Sequence, residues 1–553
     1  QARAAERILD AAGSRGGTCI TAGTGAGKTL AFYLPALTHI LSTTAPPGLP
    51  RIVGIYPRTE LLRDQLAGIV ATVERLDSAE AGRIEVGVLY GATPRDRSDA
   101  AQNANRGWQA TADGLECPML SCVEHGCGGG LIWPNGETQG RLLRCTTCGA
   151  EISQLVFTRQ ELTARPPQVL FTTTEMVNRL LGTPRWRRLL VGDANRSPDF
   201  VLLDEVHTYS GTHGAQVANL LRRWRGEMAV PSHVVGLSAT LADPVGFFSE
   251  LIGADTGSVS VIAPGATEMR ESGREYFMAL RGDPASQTSL LSTTIQTAML
   301  LRRMLDREPG VPSGGAFGTR LFAFTDKLDV VNRLHSQLQD AEGWQPDGVG
   351  RKPSGSLAVL RAPGDSNGPR DDAGQLWDAA EELGTLHRHV VVDRTTSQDA
   401  GVAGSADTIV ATASLEVGFD DPNVGAVLQH KAPRDPAQFL QRRGRAGRDP
   451  SMRPWTAVVL SDYGRDRLAF QAYEALFDPQ VQPTHLPTRN RVILKMQATW
   501  WLLDYLTKAS GGTSLRSVLA SQWTRGADRQ IQIATRALEV ANGLLTADGL
   551  GRL

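Results

Sequence analysis

Residues Ala22-Gly23-Thr24-Gly25-Ala26-Gly27-Lys28-Thr29 decide the fold of this 553-residue chain. Thr18-Cys19-Ile20 ahead of them is β-prone, and Leu30-Ala31-Phe32 behind them opens an apolar segment suited to a helix. Strand, glycine-rich loop and helix start make a phosphate cradle, because loop N–H groups and the helix dipole face the phosphate oxygens. In such a cradle Gly23, Thr24, Gly25, Ala26 and Gly27 wrap the phosphates. Lys28 meets the terminal ones, and the Thr29 hydroxyl holds Mg²⁺. The strict pattern has glycine where Ala22 stands, yet the lysine, the hydroxyl and three glycines remain. A chance glycine-rich turn ahead of Lys-Thr would not need the flanking strand and helix.

The compact apolar run Phe200–Leu203 ends in Asp204-Glu205-Val206-His207. A buried parallel strand that ends in Asp presents a carboxylate to Mg²⁺. Asp204 is expected to bind the metal through water, and Glu205 to orient and deprotonate the attacking water. Gln441-Arg442-Arg443-Gly444-Arg445-Ala446-Gly447-Arg448 packs four arginines and two glycines into eight residues. That is a poor core and a poor helix surface, but it suits close approach to phosphate oxygens, which guanidinium forks grip in a bidentate way. A basic nucleic-acid patch, in which Arg442 and Arg443 share, is the other reading of that run.

In this order the motifs resemble those of the superfamily 2 helicases, over most of the chain. Gln1 sits where that family reads adenine. Pro57-Arg58-Thr59-Glu60-Leu61 and Thr172-Thr173-Thr174-Glu175-Met176 resemble its backbone-contacting motifs. Ser238-Ala239-Thr240 is similar to motif III and Phe322–Asp326 to motif IV. The run Ala411-Thr412-Ala413-Ser414-Leu415-Glu416-Val417-Gly418-Phe419-Asp420 is similar to motif V, and Gln441–Arg448 to motif VI. The resemblance implies an α/β fold of two tandem RecA-like domains and ATP hydrolysis with Mg²⁺. Arg445 and Arg448 become arginine fingers, and Gly418 and Asp420 further nucleotide contacts. His207, Ser238, Thr240 and Gln441 become coupling residues, and Pro57, Arg58, Thr173 and Thr412 nucleic-acid contacts. It also implies that ATP draws the two domains together and that hydrolysis releases them, which moves the protein along a strand. Asp204–Gly211, His213-Gly214, Arg222-Arg223-Trp224-Arg225 and Gln429–Pro433 resemble a narrower branch. That branch holds bacterial and archaeal DNA-repair helicases and relatives from phage-defence islands, including the DISARM and deazaguanine-DNA systems. DNA and other subunits of a repair or defence complex are the partners this implies. An RNA-remodelling helicase and an ATP-switched scaffold remain alternatives.

Of six cysteines, Cys19 reads as a small core residue, and the other five crowd into Cys117–Cys148. Cys145-Thr146-Thr147-Cys148-Gly149 is a knuckle whose glycine lets backbone N–H groups turn toward sulfur. Leu131-Ile132-Trp133 and Leu142-Leu143 supply strands for a ribbon. Cys122, Cys127, Cys145 and Cys148 are the expected Zn²⁺ ligands, with Cys117 as the substitute and His125 behind it. An Fe–S cluster would use the same donors, but the knuckle and hairpin favour zinc.

The net charge of −1 excludes a generic polyanion binder, so nucleic-acid contact must come from local basic stripes. The sequence holds no apolar run of spanning length and no signal peptide, so a cytoplasmic enzyme away from membranes is expected. Gln1 is not Met and falls inside a motif, so the chain is expected to be a piece of a longer protein. The expected plan is a first RecA-like domain at 1–262 with a cysteine-rich insertion at 100–160, and a linker at 263–290. A second RecA-like domain at 291–470 and a helical accessory region at 471–553 complete it. Pro346–Asp372, rich in glycine, proline and aspartate, reads as a loop, and Trp500-Trp501 reads as core more readily than as a base-stacking pair.

Overall fold

The computed structural model describes residues 1–23, 28–43, 48–76, 84–238, 241–269, 273–282, 289–363, 375–395, 405–412, 421–479 and 483–509. They divide into two compact units, Gln1–Pro264 with the described residues from Pro483 onward, and Gly265–Gln482.

The first unit is built on an eight-stranded parallel sheet. Its strands run, edge to edge, Val259–Ile262, Gly17–Thr21, His233–Ser238, Phe200–Leu203, Ile52–Tyr56, Val169–Thr173, Val86–Leu89 and Leu155–Val156. The central strands are dominated by apolar residues, as burial on both faces demands. Register brings the strand that precedes the cradle beside the strand that ends in motif III, Thr21 against Ser238. Leu203 lies opposite Ile55, which sets the acidic residues beside the end of the neighbouring strand. Cys19 is fully buried, and burial pushes its thiol up to about 12, as befits a core residue.

Inserted in this unit is a five-stranded antiparallel sheet, Gln109–Ala110, Gly114–Ser121, Gly130–Pro134, Leu143–Cys145 and Glu151–Ile152. Trp108, Trp133 and Phe157 pile together at ring distances of 5.0–5.6 Å where the insertion joins the parent sheet. Arg141 ties the junction further, to Glu85 at 2.5 Å and Glu161 at 2.8 Å.

The second unit holds a six-stranded parallel sheet in the order Tyr276–Arg281, Trp455–Leu460, Val424–His430, Arg320–Phe324, Thr408–Ala411 and Val392–Thr395. The first of these strands corrects one expectation, since it lies within the stretch read as a linker. Within the stretch read as a loop, Leu357–Arg361 forms a short helix that buries Ala358. The chain then returns to the first unit. Helix Arg491–Ala509 packs on helix Gly211–Glu227, where Arg223 meets Asp504 at 3.3 Å and Gln497 at 3.0 Å in buried surroundings. Trp500 and Trp501 are half-buried. Among the described residues, no helix is long and apolar enough to cross a membrane.

Candidate nucleotide and nucleic-acid site

At the carboxyl ends of the first unit's central strands the expected residues come together. Lys28 and Thr29 open helix Lys28–Ser42, as an N-terminus that receives phosphate requires. Gly23 ends the strand side of the loop. Thr24, Gly25, Ala26 and Gly27 lie outside the described residues, as do the Lys28 side chain, Thr240, Gly418 and Asp420. Gln1 caps helix Ala2–Asp10 at the exposed surface.

Asp204 is buried, its backbone N–H donating to Ile55 O at 3.2 Å and its carboxylate accepting from the Glu205 N–H at 2.8 Å. Glu205 takes a left-handed backbone, φ 45°, which a non-glycine residue adopts only where its surroundings force it. Its buried Oε2 accepts no hydrogen bond among the described residues, although His207 Nδ1 stands 3.4 Å away. A buried carboxylate oxygen without a donor fits one that receives an ordered or attacking water. His207 Nδ1 reaches Ser238 Oγ at 3.2 Å, so motifs II and III are in direct contact. With the Thr29 hydroxyl in the first turn of the cradle helix and the Asp204 carboxylate at a strand end as oxygen donors, the residue types present suit Mg²⁺.

The backbone-contacting loops follow the same geometry. Pro57 leaves strand Ile52–Tyr56, and Arg58 caps helix Thr59–Glu74. Thr173 caps helix Thr174–Leu180, its hydroxyl accepting from the Met176 N–H at 3.4 Å. Both are amino termini of helices, where backbone donors face anions.

In the second unit Thr412 leaves strand Thr408–Ala411 half-buried. Motif VI ends helix Pro436–Arg443, with Gln441 and Arg445 buried and Arg448 half-buried. Its arginines divide by task. Arg442 is buried against Asp326 at 2.8 Å and Gln429 Oε1 at 2.7 Å, over the Phe324 ring. Arg443 donates to Phe477 O at 2.6 Å and lies over Phe277. The reading of Arg442 and Arg443 as a nucleic-acid patch is corrected accordingly, since both brace the second unit.

Asp326 of motif IV and Lys431 of the run Gln429–Pro433 line a crevice on that unit that the motifs did not mark as a site. Leu321 and Ala323 face one core with helix Leu328–Ala341, while Phe322 and Phe324 face the opposite one, on the side where Phe439 packs. The connections that leave the neighbouring strands Arg320–Phe324 and Val424–His430 therefore depart on opposite faces. A crevice of about 730 Å³ opens at this switch point. Lys327, Arg333, Lys431, Arg434 and Arg465 line it against Asp326, Asp329 and Asp466. Five cations against three carboxylates leave the crevice net positive, and Asp466 is held in place by the N–H groups of Ala432 and Ser461, each at 3.0 Å. The available signal was a cation one to five residues after the apolar strands Arg320–Phe324, Val424–His430 and Trp455–Leu460.

In the inserted sheet the Sγ atoms of Cys122, Cys127, Cys145 and Cys148 all lie within 4.8 Å of one another. Cys122–Cys148 and Cys127–Cys145 are each 3.6 Å apart, far from a disulfide. Thiolates about 2.3 Å from a tetrahedral ion stand roughly 3.8 Å apart, so the donor set fits zinc. The N–H groups of Cys148 and Thr147, at 3.5 and 3.3 Å, point at Cys145 Sγ and draw that thiol down to about 6. Cys117 is buried on strand Gly114–Ser121 and stands outside the four-sulfur group, its thiol pushed up to about 11 by burial.

Residues 1–106 and 140–246 match the DEAD/DEAH box helicase family, and 385–450 match the helicase conserved C-terminal domain. The gap in the first match holds Gln109–Pro134, so the first three strands of the inserted sheet lie outside that family's pattern. The chain is 26% identical over 444 residues to the Lhr helicase/probable uracil glycosylase of Mycolicibacterium smegmatis, covering 78% of this chain and 23% of that protein. Its fold is similar to that of Mycobacterium smegmatis helicase Lhr bound to ssDNA and AMP-PNP. The TM-score is 0.55 at 18% identity, over 90% of this chain and 51% of that one. It is likewise similar to DUF1998 helicase MrfA bound to DNA, with a TM-score of 0.53 at 15% identity, over 91% and 52%. The chain thus spans about half the length of the solved relatives and 23% of the curated one.

Proposed function

Because this chain belongs to the DEAD/DEAH-box helicases of superfamily 2, we propose that it hydrolyses ATP to move along DNA and separate its strands, in the cytoplasm, in genome repair or phage defence. The observation that carries this reading is the buried Asp204 and half-buried Glu205 at a strand end, with His207 bonded to Ser238 of motif III. In this reading Gln1 reads the adenine, and Lys28 balances charge on the transferring phosphoryl group. Glu205 takes the proton of the attacking water. Mg²⁺, held by Thr29 and Asp204, supplies neutralisation of the phosphate oxygens. Arg445 and Arg448 stabilise the transition state, and Gly418, Asp420, Thr240 and Gln441 complete the nucleotide and coupling set. Pro57-Arg58, Thr173, Thr412 and the second unit's basic crevice grip the strand's phosphates. DNA is favoured over RNA because the Lhr and MrfA chains were solved on DNA. Zn²⁺ in the four-cysteine group closes the inserted ribbon as a structural site.

The test measures ATP turnover and strand displacement on DNA and RNA duplexes carrying single-stranded tails. DNA-stimulated turnover with displacement of DNA is the expected outcome. Stimulation by RNA alone would move the protein to RNA remodelling, and turnover without displacement would make it an ATP-driven switch.

A further inference from the structure

Behind the carboxylates lies an aromatic layer to which the proposed reaction assigns no task. Tyr33 stands on the cradle helix, five residues after Lys28. Tyr56 ends strand Ile52–Tyr56, directly before Pro57-Arg58. Phe171 lies on strand Val169–Thr173, two residues before Thr173. Both tyrosines stack on Phe171, with centroids 5.7 Å and 5.1 Å away and planes 9° and 11° apart. All three rings are buried, and the two hydroxyls hydrogen-bond each other. Burial above all holds both hydroxyls well above the ordinary phenol range, with Tyr33 and then Asp204 adding to the effect at Tyr56 and Asp204 adding to it at Tyr33, so they stay neutral.

The sheet leaves room for this pair at one place. A Cβ on Gly54 would lie 3.4 Å from both hydroxyl oxygens and 3.2 Å from Tyr56 Cε2. One bonded, close-packed layer thus joins the helix that carries Lys28, the loop that carries Arg58 and the loop that carries Thr173. Asp204 is tied to the same strand end, its N–H donating to Ile55 O, one residue before Tyr56. A close-packed interior does not absorb small shifts but passes them on.

We propose that the Tyr33–Tyr56 pair is a positioning element that converts contact of a nucleic-acid strand at Arg58 and Thr173 into the setting of Lys28 and Asp204. It thereby fixes how far nucleic acid accelerates ATP hydrolysis. This rests on the helicase reading above. Neither tyrosine touches the nucleotide in this account; both act through the elements they join.

Tyr33→Phe and Tyr56→Phe keep the stack and delete the bond, so they suit the test. Turnover is measured without nucleic acid and at saturating single-stranded DNA, together with the DNA concentration at half-stimulation and the thermal midpoint. Each variant should keep basal turnover within about twofold while the stimulation ratio falls about fivefold, the worth of one hydrogen bond. Because both changes remove the same bond, the double variant should match either single one rather than their product. Gly54→Ala, whose methyl group would stand 3.2 Å from Tyr56 Cε2 and crowd that ring, should lower the same ratio. An unchanged ratio overturns the proposal. So does an equal fall in basal and stimulated turnover, which marks plain packing, or a multiplicative double variant. A parent protein that no nucleic acid stimulates overturns the helicase reading itself, and that result is seen before any variant is made.

Discussion

Arg442 was written in the sequence as one of four equal cations, and the fold makes it a strut. Its guanidinium bonds Asp326 and Gln429 Oε1; without it Asp326 keeps only the longer pairing with Arg434 at 3.7 Å among the described ion pairs, and Gln429 Oε1 loses this buried donor. Arg442→Ala should therefore destabilise the second unit by about 3 kcal/mol, and Arg442→Lys should recover only part, because an ammonium cannot serve both acceptors in the fork geometry. Thermal unfolding of the two variants checks this. Spacing alone showed a phosphate-seeking run, but it could not show which arginine turns inward, because that depends on how helix Pro436–Arg443 meets the sheet. Histidines give a second prediction at this scale. His233, bonded to Ser14 and Thr18, and His430, bonded to Thr294, are both driven down to about 4 by burial, from an ordinary 6.5. Below pH 6.5 the unfolded chain takes up protons that the folded chain refuses until about pH 4. Stability is full above that window and falls through it with acidification, by up to about 3 kcal/mol per histidine. The melting midpoint should drop accordingly, and His233→Gln should flatten the slope for the first unit.

The ribbon is the element whose chemistry the sequence made plainest. Cysteine spacing announced a four-sulfur site, while the separation of Cys117 from the four needed the strand Gly114–Ser121 to be placed. The edge strand Tyr276–Arg281 was missed because it is only half-buried and lacks the long apolar run of a central strand. The ribbon is held to its host by the Trp108–Trp133–Phe157 pile and by Arg141, away from the sulfurs. Metal analysis should find about one zinc per chain, in a colourless protein. Cys148→Ser should unfold the sulfur-bearing end while the parallel sheets persist by circular dichroism. ATP turnover without nucleic acid should survive, since no cradle or carboxylate residue lies in the ribbon. Iron with labile sulfide, or loss of basal turnover, would contradict this account.

For the whole molecule, the order of motifs made tandem RecA-like sheets legible, because the cradle and motifs II to V sit at strand ends, where such sheets bind ligands. Less legible was the crevice of Lys327, Lys431 and Arg465, whose members meet only when distant strands become neighbours. Two variants separate the parts of the proposed reaction. Lys28→Ala should abolish ATP hydrolysis, by about 10²-fold or more, since charge on the transferring group is no longer balanced in the cradle. Arg448→Ala should lower turnover at saturation by about 10³-fold with nucleotide affinity largely kept, because a finger acts in the transition state. Turnover assays with nucleotide-binding titrations check both. The return of the chain to the first unit has a consequence for biogenesis. Arg223 must wait for Asp504, 281 residues later, before its buried charge meets that carboxylate. At about 5–20 residues per second, a ribosome needs tens of seconds to supply that partner. The first unit thus starts to fold first and finishes last, and in the interval helix Gly211–Glu227 offers chaperones an uncovered flank.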